Sequence, residues 1–80
     1  MNQFDYHVIK TARDGIDEMD RQRMKLGWTQ MKISEAAGVP DLGQTLSRGV
    51  RSGDMKFSKL LRFLHAEGYE LVMVKKQEGE

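Results

Sequence analysis

Eighty residues, 39% apolar and 31% charged, make one small domain with a thin core. With no cysteine there is no disulfide, thiolate metal site or cysteine nucleophile. No apolar run nears the roughly 20 residues needed to span a bilayer. The opening Met-Asn-Gln-Phe-Asp lacks the basic-then-apolar grammar of a secretory signal, so a cytoplasmic location is the simplest expectation.

Residues 5–26 read as a long N-terminal helix. Val8, Ile9, Ala12, Ile16, Met19 and Leu26 fall in one stripe about 100° wide at helical period. Asp5 is placed to cap it, and Gly15 costs about 1 kcal/mol relative to Ala, which predicts a break or kink there. The alternation of Phe4, Tyr6 and Val8 supports a competing short strand; helix is the reading adopted.

The next stretch, Gly27–Val39, combines a cap, a buried face and a stop. Thr29 is a natural N-cap for a helix to Ala37. Ile33 and Ala36/Ala37, three to four residues apart, give that helix one buried face, and small Ser34 and Ala37 let another backbone approach. Gly38 suits a left-handed stop, after which Val39 returns to the core. Trp28, just before the cap, is expected to pack as a staple on the following turn.

From Pro40 to Gly53 a third helix is expected, with Asp41 and Gln44 as its capping box. Placing Leu42, Leu46 and Val50 inward sets Gln44, Arg48 and Arg51 on the opposite face. Gln suits adenine edges in the major groove and Arg suits guanine. Thr45 and Ser47 flank this face, within reach of bases or phosphates.

A closing helix is predicted over 55–67, capped by Asp54, with Phe57, Leu60, Leu61 and Leu64 as its apolar stripe and Gly68 as its stop. Lys56 and Lys59 lie near its start, where they would meet backbone phosphates or solvent. Tyr69-Glu70-Leu71-Val72-Met73-Val74 alternates and is rich in apolar and β-branched residues, which predicts a strand over 69–75. Such a strand needs a partner, and a second copy paired antiparallel across a two-fold axis is favoured over the chain's first residues. The polar tail 75–80 is expected to fray.

The net charge of +1 conceals a division. Residues 1–20 sum to −3 and residues 63–80 to −2, whereas 21–62 sum to +6. The basic block coincides with the second and third helices, as expected of a face that meets a polyanion.

The run Thr29-Gln30, Ile33, Ser34, Ala37, Gly38, Val39 closely resembles the first helix and turn of the helix-turn-helix in the phage repressor/Cro-like (lambda repressor-like) family. The resemblance spans about residues 15 to 71. It implies a mainly α domain of four to five helices, here with a C-terminal β-strand paired across a dimer. By the same resemblance the third helix is the recognition helix. Base contacts would come from Gln44, Thr45, Arg48 and Arg51, and backbone contacts from Thr29, Gln30, Ser47, Ser52, Lys56 and Lys59. Tyr69, Leu71, Val72, Met73 and Val74 would form the dimer interface. The chain departs from the family in its connection from Val39 to Leu46, about two residues longer than usual. Gly43 and Gly49 also weaken the third helix, by roughly 1 kcal/mol each if both lie inside it, which leaves its start open.

His7 and His65 are isolated, and no acid–base pair, nucleophile motif or phosphate-cradling glycine loop is present, so neither enzyme activity nor a metal or cofactor is expected. The six methionines are dispersed and read as core filler. The resemblance implies a sequence-specific DNA-binding regulator. It would bind double-stranded DNA as a homodimer on a pseudo-palindromic operator and repress by occluding a promoter, in a phage, plasmid or mobile element. The alternative is a protein-binding module that reuses the fold, such as an antitoxin with a toxin partner or an inhibitor of a nucleic-acid enzyme.

Overall fold

A computed structural model describes residues 6–76, which are mainly helical. Four helices follow in order: α1 (Ala12–Lys25), α2 (Gln30–Ala36), α3 (Gln44–Ser52) and α4 (Phe57–Ala66). α1 packs on α3 and α4, and α2 packs on α4 and α3, so α3 is held from two sides. The core between them is Ile16 and Met19 of α1, Ile33 of α2, Val39 of the turn, Leu46 of α3, and Leu60, Phe63 and Leu64 of α4.

α1 begins at Ala12, not near residue 5. Thr11 supplies the cap: it is extended and its Oγ1 accepts from the Asp14 amide at 3.0 Å. The expected cap, Asp5, and the expected strand residue Phe4 lie outside the described residues. Residues 6–10 are neither helix nor strand, and Val8 is 80% exposed. The helix continues through Gly15 without a break, because this glycine sits where α1 and α4 nearly touch. A Cβ there would lie 3.3 Å from Leu60 Cδ2 and equally close to Ile9 Cγ2. Leu26, also assigned to the stripe, is half-exposed beyond the helix end.

α2 keeps its expected cap and stop, but its buried face is Ile33 and Ser34, with Ala37 partly buried and Ala36 exposed. Thr29 Oγ1 accepts from the Lys32 amide at 3.0 Å, Ile33 and Ser34 are fully buried, and Gly38 takes a left-handed φ of 75°. Trp28 packs partly buried on the core, Lys32 Nζ lies 5.8 Å from its ring centroid, and its carbonyl accepts from Arg23.

α4 starts two residues later than expected, at Phe57. Asp54 does not cap it; the Asp54 amide bonds Ser52 Oγ instead, and Lys56 occupies the cap position without a side-chain bond. The buried face of α4 is made by Leu60, Phe63 and Leu64, while Phe57 at its first position is 62% exposed. Gly68 ends the turn after α4 at φ 91°, with the Tyr69 amide returning to the Leu64 carbonyl.

The expected C-terminal strand is absent among the described residues. Residues 69–76 carry no regular secondary structure, and no described residue pairs with them in a ladder. Val72, Met73 and Val74 are largely exposed.

Where α4 meets α1, Glu67 is half-buried, and both of its carboxylate oxygens are shielded from solvent with no hydrogen-bond partner among the described residues. Burial, reinforced by nearby Asp20 and Glu18 and opposed by Arg23, pushes its pKa up to about 8. The folded form therefore holds this proton more tightly than the unfolded chain. Stability from this group is full below the ordinary pKa of 4.5 and falls as pH rises toward 8. Glu67→Gln should raise the melting temperature at pH 8 by several degrees, corresponding to about 1 kcal/mol after allowing for solvent screening. The gain should shrink toward zero near pH 4.5, which thermal melts across that range will read.

Candidate nucleic-acid interface

A seven-residue connection, 37–43, joins α2 to α3 and is longer than a tight turn needs. Asp41 organises it. Its Oδ1 accepts from the Gly43 amide at 3.2 Å, and its Oδ2 accepts from the Thr45 amide at 2.9 Å and from the Thr45 hydroxyl. The Thr45 hydroxyl, followed by these amides, holds the Asp41 carboxyl below its ordinary value against an opposing effect of burial. The expected capping box is thus replaced. Asp41 does serve the start of α3, but its partner is Thr45, and Gln44 is left exposed.

Gly43 fixes how α3 sits on α2. It takes φ 85°, and a Cβ there would lie 3.1 Å from Gln30 Cβ, so a side chain would push the two helix starts apart. Gly49 faces the other way, buried at mid-helix, where a Cβ would collide with the Met55 methyl. Gly49 alone lies inside α3 and weakens it as an isolated helix, Gly43 stands at its N-cap, and both allow close packing in place.

With Leu46 and Gly49 turned inward and Val50 partly buried, the opposite face of α3 is fixed. Gln44, Arg48 and Arg51 are exposed and, with half-buried Ser47, line one shallow open concavity. Arg48 Nη2 donates to Gln44 Oε1 at 3.1 Å one turn back, so the two side chains lie together along the surface. Among the described residues no carboxylate forms an ion pair with Arg48 or Arg51.

Thr45 is set apart from this group, since its hydroxyl is engaged by Asp41. Thr29 and Gln30 stand at the start of α2, close to the start of α3. Ser52 bonds the Asp54 backbone at the far end of α3. Lys56 is exposed beyond it, and Lys59 is partly covered. Leu42, assigned inward, instead points out: it is 77% exposed at φ 61°. The extra turn residues carry it past the core, which Val39 already fills.

Sequence reasoning missed Arg13. From α1 its guanidinium reaches the C-terminus of α3, donating to the Val50 carbonyl at 2.8 Å and the Arg51 carbonyl at 3.2 Å, while Asp17 holds it at 3.2 Å. These are end-of-helix carbonyls without helical partners, and a cation there also complements the helix dipole. Arg62 does the same for α2, donating to the Gly38 carbonyl. Such contacts join residues 24 to 38 positions apart, and no local pattern announces them.

Among the described residues no group of three or more His, Asp or Glu is placed to hold a metal ion, and no helix is long and apolar enough to cross a membrane. The chain matches no protein-family model, and no curated protein or solved structure is significantly similar to it.

Arg13→Ala should lower the melting temperature by several degrees, as loss of charged hydrogen bonds worth about 1.5–3 kcal/mol to a helix end implies. Amide hydrogen exchange should show the loss concentrated in the last turn of α3.

Proposed function

We propose that this protein is a sequence-specific DNA-binding regulator that inserts α3 into the major groove. The single observation that carries this reading is the coincidence of one exposed face, Gln44, Arg48 and Arg51, with cations that no carboxylate among the described residues pairs. An arginine at a helix surface with no acidic partner is ready for a bidentate contact to guanine, and glutamine for one to adenine. On this reading Thr29, Gln30, Ser47, Ser52, Lys56 and Lys59 would meet phosphates, which fix register without reading sequence. The acidic first 20 residues and the acidic tail keep non-specific attachment low.

We assign the functional unit as a homodimer. In the apolar run Leu71–Val74, Val72, Met73 and Val74 are largely exposed, and a second copy offers the same surface in symmetric register. A dimer would recognise a pseudo-palindrome with half-sites about 10 base pairs apart or a multiple of this. Binding of that kind over a promoter blocks transcription, which makes repression the expected outcome.

The same apolar run favours one second reading, a module that binds a protein such as a toxin or a nucleic-acid enzyme. Selection of bound duplexes from a random pool, followed by binding measurements at two salt concentrations, separates the two. A regulator will enrich a short palindrome and lose affinity steeply with salt; a protein-binding module will retain no duplex even at low salt. On the enriched site, Arg48→Ala and Arg51→Ala should each weaken binding about 5- to 150-fold, the equivalent of about 1–3 kcal/mol, with unchanged melting temperature. Val72→Pro should give monomers by light scattering and weaken binding to the full palindrome more than to a half-site.

A further inference from the structure

The long connection carries Leu42 out of the core, but nothing in the packing calls for a leucine at the position it reaches. It is the one non-glycine residue with positive φ among those described, at 61°, and its side chain is 77% exposed. Backbone preference would favour Gly or Asn here, and burial gives leucine no advantage. Residues held in such a conformation tend to cluster where a ligand is met. Leu42 stands two positions before Gln44, on the segment that leads into the start of α3, and with Met31, which is half exposed, and Pro40 it forms the apolar side of a small hollow that Ser34 and Glu35 also line. The first residues of a groove-reading helix are the ones that approach base edges.

Resting on the reading of α3 as a DNA-binding helix, we propose that Leu42 is a specificity-determining contact that recognises the 5-methyl group of a thymine beside the base met by Gln44. Thymine is the only base with an apolar group in the major groove, and contact between that methyl and an apolar side chain is a form of direct readout. Glu35 borders the same hollow. Its carboxylate disfavours a phosphate there, and an uncharged group is the fitting neighbour. The backbone at residue 42 is then held in its unusual conformation to carry the side chain outward, at some loss of stability that Gly would restore.

The test uses the full chain and the duplex enriched by selection, with each thymine replaced in turn by deoxyuridine, which removes only the methyl. For the unmodified protein one such replacement per half-site should weaken binding about fourfold, the effect of one buried methyl group. For Leu42→Ala, and for Leu42→Gly, the same replacement should have no effect, while sensitivity to changes at the bases met by Arg48 and Arg51 persists. Leu42→Gly should also melt higher than the unmodified protein, showing that any loss of discrimination is not a loss of folding. If deoxyuridine is tolerated at every position, or weakens the Leu42 variants as much as the unmodified protein, Leu42 does not read thymine and the proposal falls while DNA binding stands. If no duplex is enriched at all, the reading of α3 fails and takes this inference with it.

Discussion

The rest of the structure depends on the seating of α3. This helix has nine residues, two of them at its ends, and an isolated helix of that length is not stable in water. Its order is therefore supplied from outside. Leu46 is fully buried among the side chains of the other three helices, and Gly49 brings the backbone against Met55. Asp41 bonds its first amides, and Arg13 bonds its last carbonyls. One face is committed to these contacts, and the geometry of a helix leaves Gln44, Arg48 and Arg51 no direction but outward. The outward face is a product of the inward one.

This arrangement gives the small domain a division of labour. α1 and α4 supply the larger part of the core, through Ile16, Met19, Leu60, Phe63 and Leu64. They also hold the shorter pair from behind, through Arg13 on α3 and Arg62 on the turn after α2. The two arginines act through backbone carbonyls, so they constrain helix position while leaving the side chains of α2 and α3 free to differ. Changes in the exposed residues of α3 can therefore alter what the surface meets without altering how the helix is held.

Much of this was legible in the chain, and what was not shares one physical character. Thr29, Ile33, Gly38, Val39 and Gly68 were readable because a cap, a buried position and a left-handed stop are decided within a few residues. The buried positions Ile16, Met19, Leu46, Leu60 and Leu64 followed from periodicity. Errors entered where periodicity was extended past a helix end: Val8, Leu26 and Phe57 fit a stripe, but the helices do not reach or face them as assumed. In α4 the core takes Phe63, while Phe57 at the helix start is exposed. Leu42 was misplaced because the long connection lets the chain leave the core before α3 begins. The pattern of residues 69–74 is that of a strand, yet a strand is a property of two segments, and no described residue pairs with this one in a ladder. Arg13 and Glu67 were beyond reach in principle, since their roles depend on neighbours far away in sequence. The outward direction of Gln44, Arg48 and Arg51 was legible because it required only the inward positions of α3.

The sealed carboxyl of Glu67 also changes how the molecule migrates in an electric field. A formal count gives the chain a charge of +1 at pH 7, and that count treats every acid as ionised. With a pKa of about 8, Glu67 keeps its proton in the native state, so the folded protein carries close to +2. Its isoelectric point then lies above the 8.1 calculated from sequence, and unfolding near neutral pH releases a proton to the buffer.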